Sequence, residues 1–190
     1  MSGAYTIRES GGAYYITCTI VGWVDVFSRQ RYRDIVLDSL RYCIRNKGLT
    51  IYAWVIMSNH LHLIVSVPDE TFLSNVLRDF KTFTTKAILR SIACEPGESR
   101  KEWMLEIFRG AGKQNAANTN FQLWQNGNHA VNLFSFDFIQ QKLNYLHRNP
   151  VCNGLVAHPE DYIYSSARDY TKEKRLLEIE PIIVKAFVRR

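Results

Sequence analysis

The sequence predicts an α+β fold: a ferredoxin-like split βαβ sandwich, in which an antiparallel sheet carries helices on one face and a further helix follows near the C-terminus. Three observations point there. Apolar periodicity alternates between strand-like and helix-like in the order β-α-β-β-α-β-α. A two-residue Ser58-Asn59 turn joins two apolar runs into a hairpin. Gly48 stands where a helix needs a left-handed stop just before that hairpin.

The first strand is "AYYITCTIVGW" (13–23), rich in β-branched and aromatic residues. The first helix is "RQRYRDIVLDSLRYCIRNKG" (29–48), with Ile35, Val36, Leu40, Cys43 and Ile44 at helical spacing. "LTIYAWVIM" (49–57) and "HLHLIVSV" (60–67) form the hairpin. "DETFLSNVLRDFKTFTTKAILRSI" (69–92) is a second helix, with Asp69 or Thr71 as its cap. Residues 95–120 turn small and polar after a short helical stretch and read as an insertion or mobile loop. "FQLWQNGNHAVNL" (121–133) suggests a strand and turn. "FSFDFIQQKLNYLHRNP" (134–150) is a third helix, which Pro150 should end. The tail holds turn-rich "HPEDYIYSSARDY" and a strand or helix at "LLEIEPIIVKAFV". Residues 1–170 are expected to form one domain and 171–190 a tail of uncertain role.

Composition bounds the function. Of 190 residues, 46% are hydrophobic and 13% aromatic, enough for a buried core. No apolar run is long enough to span a bilayer, and "MSGAYTIRES" lacks the pattern of a signal peptide, so no membrane partner is expected. None of the four cysteines forms a C-x-x-C pair, and three lie in core-like segments. They read as buried reduced thiols of a cytoplasmic protein and not as a zinc ribbon. The net charge of +6 favours polyanions, nucleic acid first.

The chemistry concentrates in "MSNHLHLIV" (57–65). Side chains alternate along a strand, so His60 and His62 share one face while Leu61, Leu63, Val65 and Val67 enter the core. Two imidazoles on one face can grip one metal ion and leave positions open for water, substrate and a third protein ligand. They would equally serve as polar residues at a hairpin mouth. On the third helix Phe136, Ile139, Leu143 and Leu146 form an apolar stripe. Tyr145 lies away from it, with Phe138, Gln141, Lys142 and Asn149. Tyr145 and Asn149 are i and i+4, so a phenol and an amide oxygen are offered together. The same pair fits a half-buried tyrosine with Asn149 as a C-terminal cap.

Four segments together resemble the Y1 transposases of the HUH nuclease superfamily, the IS200/IS605-like group, and most of all its REP-associated tyrosine transposase branch. They are "YAWVIMSNHLHLIVSV" (52–67), "LWQNGNHAVNL" (123–133), "LNYLHRNPVCNGLV" (143–156) and "YIYSSARDY" (162–170). Ser58 replaces the proline usual in the family's M-P-N-H-x-H. The resemblance implies that residues 1–170 are a single HUH/Y1-like catalytic domain ending in a nucleophile-bearing helix. It implies a metal-dependent endonuclease that cuts and rejoins single-stranded DNA near hairpins through a 5′-phosphotyrosine. Tyr145 would then be the nucleophile, and His60, His62 and Asn149 the ligands of Mg²⁺ or Mn²⁺. Tyr5, Tyr14 and Tyr15 would not serve as nucleophile, lying in or before the first strand.

Basic residues that could contact single-stranded or hairpin DNA are Arg78, Lys81, Lys86 and Arg90 on the second helix, Arg29, Arg31 and Arg33 at the start of the first, and Lys142 beside Tyr145. Phe80 and Phe83 are expected in the core. The resemblance also implies a homodimer that shares its active site through an exchanged tyrosine helix. Two other readings stand beside the transposase: a non-catalytic, domesticated binder of hairpin DNA, and a zinc hydrolase built on His60 and His62.

Overall fold

β1 (Tyr14–Thr19) and β3 (His60–Ser66) occupy the middle of the sheet, because both strands are apolar on both faces. In the computed structural model, which describes residues 12–115, 120–171 and 176–182, the sheet order is β2-β3-β1-β4, with β2 (Thr50–Ile56) and β4 (Val131–Asn132) at the edges. Every neighbouring pair is antiparallel, and the order is that of the split βαβ sandwich.

The two faces bury separate cores. Leu61, Leu63 and Val65 point to the larger one, closed by α1 (Gln30–Lys47) and α2 (Leu73–Cys94). Ile64, Ala53, Val55 and Tyr15 point to a smaller core covered by α4 (Phe136–Cys152), through Leu143 and Leu146. A bulge between Ile51 and Ala53 puts these two residues on opposite faces. Gly48 ends α1 at φ 67°, the left-handed stop its position requires.

Several expectations need correction. β1 stops at Thr19; Ile20 bridges to Trp124, and residues 21–23 form a tight 3₁₀ turn. Neither Asp69 nor Thr71 caps α2, which starts at Leu73 behind an uncapped Phe72. Between 121 and 133 only Val131–Asn132 pairs as a strand. Pro150 lies inside α4 and does not end it. The helix loses one N–H there, and Pro150's own carbonyl is taken by Leu155 N at 2.9 Å. Cys18 and Cys43 are buried, whereas Cys94 and Cys152 are exposed. Phe80 is core, but Phe83 is exposed.

The largest correction concerns 95–120. Lys101–Lys113 is a helix, α3, and its Met104 and Phe108 are fully buried in the main core. A Cβ on Gly112 would fall 2.7 Å from the backbone of Asn120 and Phe121, so that glycine permits the close return of the chain. Phe108→Ala is expected to lower stability by about 3–5 kcal/mol, read from the urea midpoint, where a surface loop would lose at most about 0.5 kcal/mol.

The segment 162–170 fastens α4 to β2. Ile56 N donates to Tyr164 O at 2.9 Å, Trp54 N to Ser166 Oγ at 2.9 Å, and Tyr162 Oη to Ile56 O at 2.9 Å, so the free edge of β2 is covered. Residues 176–182 of the tail adopt neither strand nor helix. Leu177 and Ile179 are buried in the main core, and Glu180 N donates to Ile51 O. The remainder of "LLEIEPIIVKAFV", from 183 on, lies outside the described residues, as does Tyr5. No described helix is long and apolar enough to cross a membrane.

Candidate active site

His60 and His62 project from the start of β3 on the α4 side of the sheet, with ring centroids 4.6 Å apart. Each has its Nδ1 held. His60 Nδ1 lies 2.7 Å from Asn59 Oδ1, the last turn residue. His62 Nδ1 lies 2.9 Å from Thr17 Oγ1, directly across the ladder on β1. With Nδ1–H donated to oxygen, both Nε2 lone pairs are free. His62 Nε2 is buried and has no hydrogen-bond partner. Desolvation pushes the His62 pKa down to about 3, helped by the nearby His60 and Lys142, and burial lowers that of His60. Two neutral imidazoles with one orphaned nitrogen fit a divalent cation. Among the described residues no group of three or more His, Cys, Asp or Glu is placed to hold a metal ion.

Tyr145 stands on the outer side of α4 with 55% of its surface exposed. Its ring meets His62 edge-on, centroids 5.8 Å apart. The phenol therefore sits at the solvent mouth of the histidine pair. Lys142, one turn earlier, holds its ammonium over the rings of Tyr15, Phe138 and Tyr145 at 5.1, 5.4 and 5.9 Å. Asn149 is buried one turn after Tyr145, on the side of Leu146 and not on the exposed side that the helical wheel suggested. Its Oδ1 accepts from Asn153 Nδ2 at 3.0 Å, leaving a second lone pair.

Two site residues were not singled out in sequence. Tyr15 stacks on His62 at 5.3 Å and meets Tyr145 edge-on at 6.3 Å. It is buried, and that burial raises its pKa, so it forms the floor of the site. Thr17 orients His62. Only the register Thr17↔His62 brings them there, and no local pattern announces it.

The basic candidates divide. Arg29 and Arg31 pair with Glu98 and Glu95. Arg33 lies 3.9 Å above the Tyr164 ring. Each of these three has a partner within the molecule, while Arg29 and Arg31 keep 46% and 38% of their side chains exposed. Arg78, Lys81 and Lys86 line an open groove of about 660 Å³ between α2 and residues 120–128. Lys81 Nζ donates to Gly127 O at 2.6 Å and holds that wall. Arg90 is exposed farther along α2.

α4 is locked in place by His147, whose Nε2 meets Ser166 Oγ at 2.9 Å. Burial lowers the His147 pKa from 6.5 to about 4. The folded state thus binds this proton less readily than the unfolded chain. The stability contributed is complete above pH 6.5 and is lost as pH falls toward 4. Between pH 7 and 5 the loss is about 2 kcal/mol from this group. Urea unfolding at both pH values should show His147→Gln with a pH difference smaller by that amount; an unchanged slope would refute the assignment.

Residues 14–106 match the family model described as IS200-like transposase. A solved structure of a REP-associated tyrosine transposase bound to a REP hairpin matches with TM-score 0.66 at 18% identity, over 97% of this chain and 100% of that one. At that identity the likeness shows the fold. No curated protein matches the chain.

Proposed function

Since the chain belongs, over residues 14–106, to the IS200-like transposase family, we propose that it is a DNA transposase that cleaves and rejoins single-stranded DNA near hairpins through Tyr145. The observation that supports the tyrosine mechanism is the approach of an exposed phenol to a buried, metal-competent histidine at 5.8 Å. α4 lies beyond the residues matched by the family, so Tyr145's role rests on this geometry and on the motif.

A phosphodiester resists attack because its own charge repels an incoming oxyanion. A divalent ion, Mg²⁺ or Mn²⁺, on the free Nε2 atoms of His60 and His62 would withdraw charge from a non-bridging phosphate oxygen. Asn149 Oδ1 would be the third protein ligand. Tyr145 Oη passes its proton to solvent at the exposed mouth and attacks phosphorus. The P–O3′ bond breaks, and the departing 3′ oxygen takes up a proton. The phosphate stays on the tyrosine as a 5′-phosphodiester. A phenol, with an ordinary pKa of ~10, suits this better than an aliphatic hydroxyl because it ionises and leaves more readily. Attack by a second 3′-hydroxyl reverses the step, so strands are exchanged without ATP. Lys142 offers its charge to the phosphate at the mouth, and Tyr15 closes the floor to water.

Hairpin DNA would follow the groove bearing Arg78, Lys81 and Lys86, with Arg90 as a further phosphate contact. Residues 1–170 act as one catalytic unit in this reading, and a cytoplasmic location fits it. The 5.8 Å ring-to-ring approach of Tyr145 to His62 within one chain favours a site completed without exchange of the tyrosine helix over the expected shared homodimer. A non-catalytic hairpin binder is the second reading; the engagement of Asn149 Oδ1 by Asn153 favours it. Incubation with single-stranded hairpin DNA and Mn²⁺, followed by a denaturing gel, separates the two. A covalent protein–DNA adduct supports the transposase, and binding without an adduct supports the binder.

A further inference from the structure

Val21-Gly22-Trp23 is a tight turn at the rim of the histidine pair. Trp23 has φ 55°, a left-handed conformation that bulky L-residues rarely adopt. Its indole is 62% exposed and stands edge-on to His60, centroids 6.4 Å apart. The surrounding structure holds this placement from several sides. Trp23 N donates to Ile20 O at 3.1 Å. Asn59 Nδ2 donates to Trp23 O at 3.3 Å and to Asp25 Oδ1 at 3.2 Å, while Asn59 Oδ1 faces His60 Nδ1. Gly22, at φ 64°, lets the turn pass Ile107, which a Cβ would approach to 3.2 Å. One amide thus ties the tryptophan's backbone to the metal-competent imidazole. A large apolar ring kept in solvent by a strained, well-braced backbone gains nothing for folding.

We propose that Trp23 is a stacking platform for one unpaired base next to the scissile phosphate. The proposal rests on the strand-cleaving function above and names how the substrate is positioned in it. Every base has a π-face, so the platform tolerates any sequence and fixes the backbone's register against His60. Asn59 would make the platform and the imidazole move as one.

The test is a double-mutant cycle on binding, made with Tyr145→Phe throughout so that no strand is cut. The probe is a DNA hairpin with short oligo-dT tails on both sides, in which one thymidine at a time is replaced by an abasic residue. Trp23→Ala should weaken binding of the intact probe about tenfold or more. Trp23→Phe should retain most of it, and Trp103→Ala, an indole of similar 52% exposure on α3, should be silent. At one tail position the abasic probe should bind no worse to Trp23→Ala than the intact probe does. Additive penalties at every position would overturn the proposal, including where Trp23→Ala had weakened binding by disturbing the turn. The covalent-adduct assay on the Tyr145 protein reads the parent function separately. An adduct with an additive cycle refutes stacking alone, a non-additive cycle without an adduct refutes the cleavage chemistry alone, and no binding to any probe refutes both.

Discussion

Tyr145→Phe should abolish the covalent protein–DNA adduct while leaving the fold and hairpin binding close to wild type. The expected loss in cleavage is at least about 10⁴-fold, the scale on which removal of a nucleophile acts in enzymes that form covalent intermediates. The change removes one oxygen from a ring that is more than half exposed, so the stability effect should stay within about 0.5 kcal/mol. Edge-on packing against His62 and Tyr15 is available to phenylalanine as well. Among the described residues no other tyrosine in contact with the histidines can take over. Tyr15 stacks on His62, but it is buried, and desolvation opposes its ionisation. A gel showing wild-type adduct in the phenylalanine variant would end the assignment. Loss of adduct together with loss of fold would be exposed by the urea midpoint.

Much of this site was legible because its parts are local. The hairpin turn, the i, i+2 spacing of the two histidines and the i, i+4 spacing of Tyr145 and Asn149 each follow from periodicity within a single element. What sequence could not supply is register between distant strands. Thr17 faces His62 only because β1 and β3 pair as they do, and the same pairing lays Tyr15 over the imidazole. Reading Tyr15 merely as a strand residue missed its place beside His62 and the Tyr145 ring. α3 was hidden for another reason. Its buried Met104, Phe108 and Gly112 do recur at four-residue intervals, but Gly110 and Gly112 and the charged surroundings resemble a linker. Pro150 misled because a proline removes one N–H and crowds the carbonyl four residues earlier without forbidding helical φ and ψ, so α4 runs two residues past it to Cys152.

His62→Ala should remove metal-dependent cleavage almost entirely, and chelation of divalent ions should do the same to the wild-type protein. The Nε2 of His62 is the buried nitrogen without a partner, so its deletion takes away the site's best-placed donor. His60→Ala should act in the same direction. Thr17→Val, which keeps the side-chain shape and loses the oxygen that orients His62 Nδ1, should raise the Mn²⁺ concentration required by about 10–100-fold. Calorimetric titration with Mn²⁺ reads this without DNA or activity. The lowered pKa values of both histidines add a sign. Burial lowers both, that of His62 to about 3, so their ligand-competent neutral forms persist below the ordinary 6.5 and Mn²⁺ affinity should fall less steeply with acid than it would for two solvated imidazoles. An affinity falling about a hundredfold per pH unit well below 6.5, about tenfold for each ring, would mean that both imidazoles are solvated and protonate freely. Tight stoichiometric Zn²⁺ with hydrolysis indifferent to Tyr145 would point instead to a hydrolase. The decisive contrast is therefore joint: adduct formation must fail with His62→Ala, with Tyr145→Phe and with chelator, since a phosphotyrosine can form only where the phenol and the histidine pair meet the same phosphate.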